Sequence, residues 1–412
     1  MAGGSMSGAL PLRNESGGAI IGRGTINMPL VNNGKIVAGD GTLRIANAFS
    51  NAGVIEMAGS TATLSGGAIS NIGTIEGFGS INNVISNTSG SIEAAGGTLV
   101  LTGPLPTSTG LLAASNGNKL LFTQGLAINA GTISLAGGTF DNGSKVMSNI
   151  GQISGYGIFR SGGLTNNGAI TFAGGTTTVN GNVTNSAGKK VEVRFAPAVF
   201  TGTFTNNGIF KSTSAQVTFT GAYIENGQFI SDPAENIFQD VSIGTDGAWS
   251  GGLGDLFVIG GDLINASTNT QLWQTSQAEL HFVGGHRHHY LTASRDLGSD
   301  SFSGYEQNFA WGKLVLSSSD SLLLDGPALY VGILDLPDGL PQIQSITSAA
   351  TIYYDLRQPE NLYLQGQTYA LSGGGSITPV PEPAINLLLL LFVPAMQRKR
   401  TQAARRAAIS HF

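Results

Sequence analysis

The sharpest chemical cluster in the sequence is a set of four histidines, His281, His286, His288 and His289, spaced His-x4-His-x-His-His. Imidazole nitrogens ligate zinc, nickel and similar borderline ions, and two of them on one face of a strand can chelate. Alternate residues of an extended segment share a face, so His286 and His288 point together and His289 points away. A third ligand has to come from elsewhere, with His281 on a neighbouring segment or Asp296 as the candidates. The plainer reading is a surface strand turned at Gly284-Gly285 whose histidines are half-buried packing. A second set is acidic: Glu56, Glu76 and Glu93 each follow an aliphatic residue, as Ile55-Glu56, Ile75-Glu76 and Ile92-Glu93. If these segments are neighbours, the three carboxylates stack roughly 5 to 10 Å apart, where they raise one another's pKa or recruit a cation such as Ca²⁺. Glu192 extends the row if its repeat has slipped by one residue. The plainer reading is solvated side chains on an outer wall.

The elements that would hold these groups are legible in a repeat. From about residue 14 to 230 the chain restates Asn-x-Gly-x-aliphatic, as in Asn32-Asn33-Gly34-Lys35-Ile36, Asn51-Ala52-Gly53-Val54-Ile55, Asn71-Ile72-Gly73-Thr74-Ile75, Asn149-Ile150-Gly151-Gln152-Ile153, Asn166-Asn167-Gly168-Ala169-Ile170 and Asn206-Asn207-Gly208-Ile209-Phe210. The interval between the first asparagines is 19 (51−32), then 20 (71−51), and later 17 (166−149). A period near 20 residues denotes a solenoid. A Gly-rich phrase falls between, at Gly77-Phe78-Gly79, Gly96-Gly97-Thr98, Gly137-Gly138-Thr139, Gly155-Tyr156-Gly157 and Gly174-Gly175-Thr176. The segments between alternate apolar with small polar residues, as in Thr98-Leu99-Val100-Leu101, which is the period of strands. Asn and Gly are expected to supply left-handed corners. In aligned coils the Asn amides can bond to one another along the axis as a ladder. Parallel strands stacked about 4.8 Å apart and joined by right-handed crossovers make a right-handed parallel β-helix with an inward aliphatic column along its whole length.

Composition narrows the function classes. Charged residues are 11% of the chain, Gly accounts for 61 of 412 residues, and cysteine is absent. Few charges mean few catalytic groups, and no disulfide or Cys-based metal site is available. A formal net charge of −5 with no basic stripe argues against nucleic-acid binding. A β-helix invites comparison with polysaccharide-active enzymes, which need clustered acids and bases. Asp255, Asp262 and Glu279 are scattered in sequence, so a non-enzymatic protein without cofactor is expected. Past Asp232-Pro233 the Asn-Gly phrase fades, and all three tryptophans, Trp249, Trp273 and Trp311, lie beyond it. Residues 1–232 are read as the regular solenoid. Residues 233–378 are read as the same solenoid with wider coils and a C-terminal cap, with a separate β-sandwich as the alternative.

Residues 379–412 have another character. Val380-Pro381-Glu382-Pro383 is a stiff segment that continues neither strand nor helix. It is followed by an apolar run over residues 384–396, 13 residues long and interrupted by Asn386 and Pro394, and then by Arg398, Lys399, Arg400, Arg405 and Arg406. The apolar run partitions into a bilayer and the cations stay on its cytoplasmic side. This order resembles the PEP-CTERM sorting signal of Gram-negative bacterial surface proteins. The approach to it also resembles the repeat-rich branch of that family, in Ile352-Tyr353-Tyr354-Asp355, Asn361-Leu362-Tyr363-Leu364, Gly366-Gln367-Thr368-Tyr369-Ala370-Leu371 and Gly373-Gly374-Gly375.

The resemblance implies transient inner-membrane anchoring, cutting near Pro381-Glu382-Pro383 by an exosortase-type membrane protease, and delivery to the cell surface or an exopolysaccharide matrix. A signal peptide and further repeats are expected upstream of Met1, because residues 1–24 lack a basic start and an apolar core. An autotransporter passenger would share the solenoid but end in a barrel of alternating strands. The sequence therefore predicts an exported structural or adhesive β-solenoid, with a glycan- or metal-binding module as the alternative.

Overall fold

One repeat shows how a turn is built. The strand Val54–Gly66 starts just after the Asn51-Ala52-Gly53 corner, bends over residues 58–62, and passes through a second corner into the short strand Ile69–Asn71. Long strands stack on long strands, as Ile55↔Ile75 and Glu56↔Glu76, and short on short, as Ile69↔Ile85 and Asn71↔Asn87, all parallel. The structure, a computed structural model, describes residues 1–380, which wind into a parallel β-solenoid of about 18 turns. Farther along the rod the bend becomes a break, and the long strand divides into Lys190–Arg194 and Ala198–Phe200.

Alternate residues point into the rod. Ile36, Ile55, Ile75, Ile92, Leu112, Ile133, Ile153, Ile170 and Val191 form one buried column in register. The column does not stay aliphatic as the sequence suggested, since it continues as Phe210, Phe229 and Trp249. Beside it Phe200, Phe219 and Phe238 stack nearly flat, with centroids 5.2 and 5.1 Å apart. Rings repeated once per coil meet at close to the strand spacing of about 4.8 Å, so an aromatic column packs in the same space as an aliphatic one.

The last residue of each short strand is the repeat's first Asn, and it points inward. Eight rungs join Asn14 to Asn87 and Asn129 to Asn206, each Nδ2 donating to the next Oδ1 at 2.6–2.9 Å. The second amide hydrogen generally reaches a backbone carbonyl of the next coil, as Asn166 Nδ2 to Lys190 O at 3.2 Å. The ladder is interrupted once, where Asn87 donates to Ser108 Oγ and the buried Asn129 Oδ1 has no partner.

The glycine of Asn-x-Gly has a role different from the expected one. Gly53, Gly151 and Gly227 do not take left-handed φ, and no asparagine among the described residues does. A Cβ at these positions would lie 2.0, 2.1 and 2.1 Å from the carbonyl oxygen of the preceding coil's corner, at Gly34, Gly131 and Gly208. Close stacking of corners excludes the side chain. Left-handed φ belongs to the second, Gly-rich phrase, for example 107° at Gly77 and 100° at Gly155, where the long strand bends.

Parallel pairing crosses residues 232 and 233 without a break, through Ile230↔Ser250 and Asn236↔Phe257. The later coils are wider. Leu280 pairs Phe257 and, 34 residues on (314−280), Leu314. The excess forms an excursion that carries the helix Ser301–Glu306.

The last strand among the described residues, Ser376–Val380, lies parallel to Thr351–Asp355, with a short antiparallel contact from Tyr369–Ala370 on the same sheet. Across the preceding coils, Asn361 buries its amide, accepting from Leu334 N and donating to the carbonyls of Gly332 and Asp355. The expected short hydrophobic helix and basic tail, with Pro381, Glu382, Pro383, Arg398, Lys399 and Arg400, lie outside the described residues. Among those described, no helix is long and apolar enough to cross a membrane.

Candidate functional site

The histidine cluster straddles a corner between the two sheets. Glu279–Phe282 belongs to the long-strand sheet and Arg287–Leu291 to the short-strand sheet. Gly284 and Gly285 turn the chain between them, with φ of 130° and 75°, and a Cβ on Gly284 would stand 2.7 Å from the His286 ring. The corner therefore lays the His286 imidazole over a glycine and beside His288, with ring centroids 4.3 Å apart. As read from the spacing, His286 and His288 converge and His289 turns away, its Nε2 lying 2.8 Å from Asp325 Oδ2.

The third partner is neither of the two expected residues. His281 sits on the long-strand sheet beside Glu279, with Nε2 2.9 Å from Oε2. Asp296, on the excursion, accepts from the Tyr353 hydroxyl. The converging acid is Asp320, in the corresponding corner of the next coil, where Arg287 pairs Ser321. One ligand atom from each of His286, His288 and Asp320 lies within 4.8 Å of the other two, the one such group of three among the described residues. His288 and Asp320 are fully buried at their side chains and His286 is exposed.

Hydrogen bonding sets the chemistry of each group. His288 Nδ1 is 2.7 Å from Gly261 O, which can only accept, so Nδ1 carries a proton and Nε2 is the nitrogen left for a ligand. That Nε2 lies 3.3 Å from Asp320 Oδ1 without the alignment of a hydrogen bond. Asp320 Oδ1 accepts from the backbone N–H of His286 at 2.8 Å, and its buried Oδ2 has no partner.

The acidic row is in register as its spacing predicted, Glu56↔Glu76↔Glu93 on three adjacent coils. All three are half-buried on the outer wall, and Lys35 pairs with Glu56. Glu192 does not extend the row. It stands in the same column, but Ala113, Ser134, Ser154 and Thr171 intervene, and its ion pair is with Lys190. Of the scattered acids, Asp255 is held by Ala234 N, Gly252 N and the Ser231 hydroxyl, Asp262 accepts from His289 N, and Glu279 faces His281. They do not form one site. A polar cleft of about 430 Å³ lies over the second half, lined by Ser231, Ser250, Gln271, Gln274, Gln277 and Gln307 among others.

Sequence reasoning missed a buried carboxyl. Glu225 replaces the first Asn in Glu225-Asn226-Gly227-Gln228-Phe229 and ends the amide ladder. Both its oxygens accept from Asn206 Nδ2, at 2.9 and 3.1 Å, with Tyr223 Oη at 2.7 Å and Gly227 N at 2.8 Å. Burial pushes this carboxyl up to about 8, against those hydrogen bonds, which pull it down. Burial, and then the neighbouring Glu225, also raise the Tyr223 phenol well above its ordinary value. The signal was the period itself: 225−206 is 19, which places Glu225 on the ladder.

Comparison with protein-family models, curated proteins and solved structures returns no match.

Proposed function

We propose that the chain is an exported, non-enzymatic structural or adhesive rod of the bacterial surface or its exopolysaccharide matrix, released from a membrane-held tail. One observation carries the reading. The last described strand is Ser376–Val380, with Val380 buried, and in the sequence Pro381-Glu382-Pro383 follow directly. A cut there by an exosortase-type protease frees a rod that keeps every described coil.

The interior supports a scaffold role. Its amides and aromatics serve coil-to-coil stacking, and the stability of such a rod accumulates from neighbouring coils. Its outer wall, rich in Ser, Thr and Gly, offers hydroxyls to glycans.

The test is cell fractionation of the producing bacterium, comparing the full chain with one ending at Val380. The full chain is expected in the surface or matrix fraction, and the shortened chain is expected to be lost from it. An identical distribution of the two would overturn the proposal, since the tail would then have no part in delivery.

A further inference from the structure

We propose that His286, His288 and Asp320 bind a divalent transition-metal ion of the zinc class, and that the ion pins together the two ends of the widest coil. This stands apart from the sorting of the chain.

The corner leaves two buried polar atoms unpaired. His288 Nε2 and Asp320 Oδ2 are buried without a hydrogen-bond partner, and Nε2 lies 3.3 Å from Asp320 Oδ1. Buried polar atoms are normally paired, and a cation held between these two side chains would satisfy both. The neighbouring N–H groups are already used: the backbone N–H of His286 goes to Asp320 Oδ1, and the His288 Nδ1–H goes to Gly261 O.

The geometry suits a small, borderline-soft ion. Metal–nitrogen and metal–oxygen bonds of about 2.0–2.1 Å in a tetrahedron place ligand atoms roughly 3.3–3.4 Å apart. His288 Nε2 and Asp320 Oδ1 are 3.3 Å apart. His286, exposed over Gly284, has a ligand nitrogen within 4.8 Å of ligand atoms of both buried residues. Two imidazoles and one carboxylate select zinc-like ions over Ca²⁺ and Mg²⁺, which prefer six or more oxygens or retain their own waters. The bond from His288 Nδ1 to the Gly261 carbonyl is the kind of contact that fixes a ligating tautomer.

The location gives the ion a mechanical effect. His286 and Asp320 are 34 residues apart, the span of the longest excursion in the solenoid. A rod held by nearest-neighbour coils is weakest where a coil is longest, and a clip closing that loop strengthens it there. Gly261 belongs to the coil before, so the ion would tie three coils.

The experiment uses the untagged full chain, stripped with EDTA and titrated with ZnCl₂ or CaCl₂, followed by calorimetry and thermal unfolding. Zn²⁺ is expected to bind with one ion per chain and raise the Tm, and Ca²⁺ to do neither. His286→Ala, an exposed change, is expected to leave the metal-free Tm unchanged and abolish the Zn²⁺ shift. Asp320→Asn tests the buried ligand, with circular dichroism reporting whether it folds. A Zn²⁺ response equal in the wild type and His286→Ala, or no Zn²⁺ binding at millimolar concentration, would overturn the proposal.

Discussion

Ser108→Asn is predicted to stabilise the protein, although it enlarges a fully buried side chain. Ser108 lies in register between Asn87 and Asn129, at the single gap between the two runs of the ladder. It accepts from Asn87 Nδ2 at 3.0 Å but leaves Asn129 Oδ1 buried and unpaired. An amide at this position receives Asn87 and donates to Asn129, as the eight existing rungs do at 2.6–2.9 Å. Relieving an unsatisfied buried acceptor recovers about 1–3 kcal/mol, and ordering the longer side chain costs about 1 kcal/mol. The difference spans about 0–2 kcal/mol, and its midpoint of about 1 kcal/mol is roughly a 5-fold rise in local protection. Solenoids unfold by neighbouring units, so native-state hydrogen exchange is a better assay than one global curve. The amides to follow are Leu111 and Thr132, which donate to the carbonyls of Gly90 and Gly110 beside the gap. Asn166→Ser, which opens the same gap in an intact run, should lower protection by a comparable factor. If Ser108→Asn leaves exchange unchanged or faster while Asn166→Ser lowers protection, the reasoning fails, because the orphaned Asn129 carbonyl would then carry no cost for the ladder to repair.

Two further predictions concern the corners and the ladder's end. Gly53→Ala places a Cβ 2.0 Å from Gly34 O, and should lower stability by about 1–3 kcal/mol or more in urea unfolding. Gly39→Ala, where a Cβ meets nothing within 4 Å and φ is not left-handed, should stay within about 0.5 kcal/mol of wild type. Equal effects at the two sites would refute the close-approach account. Burial raises the Glu225 carboxyl from 4.5 to about 8 in the folded chain, so the folded state holds a proton that the unfolded state releases. Its contribution is present in full below about pH 4.5 and is lost as pH rises through 8, at most on the order of 5 kcal/mol. Glu225→Gln should flatten the dependence of Tm on pH between 5 and 9; an unchanged slope would assign that dependence to other groups.

What the sequence revealed and what it concealed follow from how far each interaction reaches along the chain. The Asn-x-Gly period was enough to place Glu56, Glu76 and Glu93 side by side and to align the amides, because one offset repeated across coils determines register. The same period carried Glu225 onto the ladder, and the substitution in Glu225-Asn226-Gly227 was readable from it. The role of the corner glycines was not readable. Periodic Gly marks a corner, but whether it serves φ or clearance depends on the coil stacked beside it, as at Gly53 against Gly34. The pairing of His286 and His288 was legible from alternation along a strand. Asp320 was not, because the coil between them has lengthened to 34 residues and no repeat spacing connects the two corners.

The account's central claim is that the described solenoid is freed from its tail just beyond Val380. Intact-mass spectrometry of the mature chain from the producing bacterium tests it directly. The account predicts a C-terminus within the few residues from Val380 to Pro383. A mass that includes Phe412 would contradict it and leave the rod joined to its tail.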